Sequence, residues 1–142
     1  MHSQFSKNTD GNRVKEMSAK EYVDIVSQKT DVFSLTDHNC YKSEYYTQLR
    51  NEISDKNLKL IDGAELDVYV NDSDYFQMGV YFEENDKGAE IENKINELYN
   101  NSKKPDLPDI ISKLLELNIK FILIPEGNKS RGIIDVLEKI SP

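Results

Sequence analysis

The chain has 142 residues, 26 of them acidic against 18 basic, for a formal charge of −8. That length makes one modest domain with its own core, and the acidic balance argues against a surface that neutralises the many phosphates of a nucleic-acid duplex. A single cysteine, Cys40, rules out an intramolecular disulfide framework; with no secretory-type leader and no apolar run near the ~20 residues of a membrane span, a soluble cytoplasmic protein is expected.

In chain order, Ser18 and Glu21 have the spacing of a capping box, and Tyr22, Ile25 and Val26 then share a helical face. The apolar run over 32–36 predicts a first strand. After a polar loop, Tyr46, Leu49, Arg50 and Ile53 predict a helix, which ends before a long extended run over 59–70. Residues 71–74 are turn formers, and alternating apolar residues over 75–82 predict a returning strand, so the sheet is expected to be mixed. Ile91, Ile95 and Leu98 mark a helix over 90–99, and a polar connector follows over 100–104. Pro108 suits the first turn of a strongly apolar helix containing Ile110, Ile111, Leu114, Leu115 and Leu117. A strand over 121–124, a loop over 126–131 and a short helix to 140 complete the reading. There is no internal repeat.

Two stretches concentrate chemistry. Residues 33–39 begin as an apolar strand and end in Asp37, His38 and Asn39; residues 60–67 do the same and carry Glu65 and Asp67. An α/β enzyme builds its site in this way, with strands fixing the backbone and strand ends or loops converging on a reacting group. Each residue also has a plainer role. Asp37 with His38 can form an ordinary turn, Glu65 and Asp67 can be solvated strand-end acids, and Asp10 with Gly11 reads most simply as a turn. His2 sits at the terminus, where order is least expected. Cys40 lacks a second cysteine or an evident base and reads as an incidental thiol. In the loop around Gly127, backbone N–H groups with Lys129 and Arg131 suit a phosphate, although the spacing is not that of a Walker A loop.

The series His2-Ser3 with Asp10-Gly11, then Thr36-Asp37-His38-Asn39, then Gly63-Ala64-Glu65, resembles the polymerase-and-histidinol-phosphatase (PHP) family in order and spacing. The resemblance extends to Phe76 through Gly79 and Ile124 through Gly127. It implies a distorted (β/α)7 TIM-like barrel, here a partial barrel cut at both ends, and a metal-dependent phosphoesterase. Divalent Zn, Mn or Fe would be the cofactor, with ligands among His2, Asp10, His38, Glu65 and Glu126. Glu65 would bridge ions, and Asp37 would work beside His38 by orienting a histidine. Metal binding lowers the pKa of water to about 7, so a hydroxide for attack on phosphorus becomes available at neutral pH. The substrate would be a phosphorylated small molecule, a nucleotide or a nucleic-acid end.

The departures from that pattern are specific. The family's first motif has two histidines flanking one residue; if His2 is the second, the first would precede Met1. Gln77 stands where a histidine is common, Glu126 lies where another is expected, and the closing Asp-x-His motif has no counterpart. A second reading therefore stands beside the first: a non-catalytic PHP-like binding or regulatory module of a larger, ATPase-linked protein. A third is an acidic interaction domain without metal. A partial barrel would also expose strand edges and apolar faces, which predicts self-association.

Overall fold

The computed structural model describes residues 1–6, 16–127 and 132–140, so Asp10, Gly11, Lys129 and Arg131 lie outside the described residues. Helix α1, Ala19–Val26, starts at the expected capping box: the Glu21 N–H donates to Ser18 Oγ, and the Ser18 N–H donates to Glu21 Oε2. Its inward face is Ala19, Tyr22, Val23 and Val26, whereas Ile25 is exposed. The face is thus rotated from the one expected, because Val23 stacks one turn above Ala19 and takes the inward position. Strand β1, Val32–Ser34, follows.

Helix α2, Ser43–Ile53, has no acceptor of its own at its start. Glu92 supplies one from a distant part of the chain, accepting the Ser43 N–H at 2.9 Å while it pairs with Lys42. The extended run that follows divides at Asp62 into β2, Lys59–Ile61, and β3, Gly63–Tyr69. There the Asp62 carboxylate is buried and receives Arg50 Nη2 at 2.5 and 2.6 Å. The Asp62 carbonyl accepts the Phe82 N–H, so the chain leaves one partner strand for another at this residue.

An Asn71 side-chain turn, accepting from the N–H groups of Ser73 and Asp74, leads into β4, Tyr75–Phe82. Helix α3 is Gly88–Tyr99, and after a 3₁₀ turn helix α4 is Leu107–Leu115, capped by Asp106 and carrying Pro108 in its first turn. Strand β5, Phe121–Pro125, and helix α5, Ile133–Ile140, close the order.

The architecture is mixed α/β. Strands β1 and β2 pair in parallel, and β3, β4 and β5 form an antiparallel sheet in that order. A parallel bridge between His38 and Glu65 joins the chain beyond β1 to β3. Among the described residues the strands do not close into a barrel. The returning strand accounts for this locally: a tight turn can only reverse the chain, and parallel neighbours require a crossover.

Register sorts the residues of β3 and β4 onto two faces. Ala64, Leu66 and Val68 stand opposite Val80, Met78 and Phe76, and they share a core with Ile91, Ile95 and Leu98 of α3 and Ile110 and Leu114 of α4. Each fully buried Leu or Ile there contributes about 1.5–3 kcal/mol. Gly63, Glu65 and Asp67 project from the other face, opposite Tyr81, Gly79 and Gln77. That second face carries the site, and farther along it Ile122 and Ile124 are 60% and 51% exposed. No helix among the described residues is long and apolar enough to cross a membrane.

Candidate metal centre

The N-terminal residues are held against the chain that continues from β1. The Met1 carbonyl accepts the Thr36 N–H at 2.7 Å, and the Met1 ammonium donates to Thr36 Oγ1 at 3.2 Å. Both the N–H and the hydroxyl of buried Ser3 donate to the Asp37 carboxylate at 2.5 Å. The His38 N–H donates to Ser6 Oγ at 3.0 Å. These bonds counter the fraying expected of a chain end and fix His2 beside His38. The two imidazoles stack with centroids 4.6 Å apart and planes inclined by 23°.

Glu65 is locked to the same loop by its backbone, its N–H donating to the Asp37 carbonyl and its carbonyl accepting the Asn39 N–H. Asn39 is in the left-handed region at φ 50°, a conformation that asparagine tolerates better than most residues. Its amide then pairs twice with Asp67, donating to Oδ2 and accepting the Asp67 N–H, both at 2.8 Å.

Three potential ligands converge as a result. Nε2 of His2 and Nε2 of His38 lie 3.6 and 3.9 Å from the same atom, Glu65 Oε2, and the ligand atoms of all three residues lie within 4.8 Å of one another. Those separations are too long for hydrogen bonds. They approach the ~3.4 Å edge of a tetrahedron whose centre lies about 2.0–2.1 Å from each corner, the bond length of zinc to imidazole or carboxylate. Two imidazole nitrogens and one carboxylate suit Zn, Mn or Fe better than the all-oxygen sets of Mg or Ca. The group could hold a metal ion, and its solvent side is at His2, whose side chain is 26% exposed while those of His38 and Glu65 are at 3% and 6%.

Protonation favours ligation. Burial pushes the His2 imidazole below its ordinary 6.5 and His38 lowers it further, against an opposing pull from Glu65; the N-terminal ammonium adds to the lowering, and the Thr36 backbone raises it. His2 is therefore the neutral form at neutral pH, with a lone pair to give. Its Nδ1 is buried without a hydrogen bond of standard geometry among the described residues. On His38, Nδ1 lies 3.3 Å from the Gln77 amide nitrogen. An amide turned over about its last bond presents oxygen instead, so Gln77 can accept a proton held on Nδ1 and leave Nε2 for a metal.

The remaining candidates take other positions. Asp37 is turned to Ser3 and not to an imidazole, so its described hydrogen bonds anchor the chain that carries His2. Asp67 is engaged by Asn39. Glu126 stands just past β5, where its N–H donates to the Gln77 carbonyl and its own carbonyl accepts from Ile133, and its side chain is not part of the three-residue group. Asp10, Lys129 and Arg131 fall outside the described residues. Cys40 is buried and, as the chain's single cysteine, takes part in no intramolecular disulfide.

Reading the sequence alone misses the contributions of Ser3, Ser6 and Gln77. For Gln77 a signal was present, since a tight hairpin centred on Asp72 pairs Asp67 with Gln77 and Glu65 with Gly79, and puts all four on one face. Neither the models of known protein families nor the curated proteins contain a match to this chain.

Proposed function

We propose that this chain is a metal-dependent phosphoesterase of the PHP type, acting on a phosphomonoester, a nucleotide or a nucleic-acid phosphate. The observation that carries the proposal is the shared approach of His2 Nε2 and His38 Nε2 to Glu65 Oε2 at distances that leave room for an ion. The order of the motifs supports the family reading, because His2, His38 and Glu65, one residue from each of the first three motifs, meet at this point.

A divalent ion in such a group acidifies bound water and neutralises charge on a phosphoryl group. The chain's own residues do the rest. Glu65 offers the negative charge that holds a cation in a largely buried place, and His2 and His38 complete the set as neutral donors. Gln77 fixes the ring of His38, and Asp37 fixes the position of His2 through Ser3. The partly exposed side at His2 is where substrate would enter.

A second reading, a metal-binding module without turnover, is favoured by one specific observation. The described ligands number three, enough for a single ion, whereas the resemblance implies that Glu65 bridges more than one. Hydrolysis decides between the two. The chain loaded with Mn or Zn is expected to cleave p-nitrophenyl phosphate or bis(p-nitrophenyl) phosphate, and His38→Ala to lose that activity. Full metal loading with no turnover above background would select the binding module.

A further inference from the structure

The face that carries Glu65 also carries a phenol that no motif singled out. Tyr81 lies two residues beyond Gly79 on β4, and Gly79 is directly opposite Glu65. The Tyr81 ring lies along the sheet over two glycines. A Cβ built on Gly79 would stand 2.9 Å from Tyr81 Cε2 and 3.1 Å from its hydroxyl oxygen, and one on Gly63 would stand 3.1 Å from Tyr81 Cδ1. The ring therefore runs from Gly63 towards Gly79, with its hydroxyl at the Gly79 end. Opposed residues of an antiparallel pair have Cβ atoms about 4.5–5.5 Å apart, so the hydroxyl, 3.1 Å from the Cβ position of Gly79, takes the side-chain place that faces Glu65 across the strand pair. Any side chain at Gly79 would fill the space the ring occupies.

Resting on the phosphoesterase reading, we propose that Tyr81 contacts the substrate, donating its hydroxyl proton to a phosphoryl oxygen held at the His2, His38 and Glu65 group. The chemistry fits the location. An anionic phosphoryl group arriving beside Glu65 gains from a hydrogen-bond donor, and a phenol supplies one without adding a charge that would compete with the metal for the carboxylate. The flat ring laid on glycine backbone is held in place by packing, so the donor is oriented before substrate arrives.

The test uses the full chain loaded with Mn, titrated with inorganic phosphate by calorimetry, with Mn content and thermal midpoint measured for every protein. Tyr81→Phe is expected to keep both of those and to bind phosphate at least about tenfold more weakly, the size of one hydrogen bond to a charged acceptor. Gly79→Ala, which pushes the ring aside, is expected to show a loss of similar size. Equal phosphate affinity in wild type and Tyr81→Phe overturns the assignment and leaves the phosphoesterase reading standing. Tyr81-dependent phosphate binding in a protein that hydrolyses no phosphoester supports the assignment and overturns the hydrolase reading. A loaded wild type that binds no phosphate overturns both.

Discussion

Replacing Asp37 with alanine separates two roles for the most motif-like acid in the chain. Asp37 accepts two hydrogen bonds from Ser3, one from N–H and one from the hydroxyl, and both groups are buried. A hydrogen bond to an ionised acceptor is worth about 1.5–3 kcal/mol. The two share one donor residue and one carboxylate, so they do not add fully, and about 3 kcal/mol of docking free energy is lost from the N-terminal segment. The Met1 contacts with Thr36 and the Ser6 contact with His38 remain, so the segment still docks, but only in a minority of molecules. Apparent metal affinity falls with the docked fraction, at about 1.4 kcal/mol for each factor of ten. Asp37→Ala should therefore bind Zn or Mn roughly tenfold to a hundredfold more weakly, measured by competition with a chromophoric chelator. Unchanged affinity would refute the anchoring argument, and unchanged affinity with lost hydrolysis would return Asp37 to the reacting centre.

Three further outcomes follow from the same contacts. Gln77→Leu should lower metal affinity by about tenfold or more, because His38 loses the partner that orients its ring; chelator competition reads this, and equal affinity would remove Gln77 from the site. Tyr46→Phe should cost about 2 kcal/mol in urea unfolding, since its one hydroxyl proton is shared between the Leu35 and Gly63 carbonyls and its oxygen accepts the Gly63 N–H; a loss below about 0.5 kcal/mol, the range of a surface change, would count against that clamp. For Glu92, burial raises the pKa, but the bonds from Lys42 and Ser43 outweigh it and hold the carboxyl below its ordinary 4.5. Its folded value is the lower one, so its contribution is full above about pH 4.5 and disappears as pH falls through the folded value. The stability gap between wild type and Glu92→Gln should accordingly shrink between pH 7 and pH 3; a constant gap would contradict the linkage.

Local elements were legible because their signals are local. Ser18 and Glu21 announce α1, Pro108 and its neighbours announce α4, and the alternation over 75–82 matches β4. What the sequence hid depends on partners far along the chain. Nothing near Ser43 shows that Glu92, 49 residues away, caps α2. Nothing in the apolar run over 59–70 shows that Arg50 draws Asp62 inward and divides it. Leu115 belongs to the apolar pattern of α4 yet is 63% exposed, since Ile110 and Leu114 already fill the buried face. In the site, His38 and Glu65 were visible as strand-end ligands, and the structure brings His2 to them. The reason His2 stays there is Ser3, whose bonds to Asp37 depend on contacts between the N-terminus and the chain beyond β1 that no local pattern encodes.

The most direct measurement is the metal content of the purified chain by mass spectrometry after loading with Zn or Mn and removal of free ion, in wild type, His2→Ala, His38→Ala and Glu65→Gln. A three-ligand centre predicts about one tightly held ion per chain in wild type and its loss in all three variants while each remains folded. No retained metal in wild type, or equal loading in the variants, would contradict the assignment of His2, His38 and Glu65 as a metal centre.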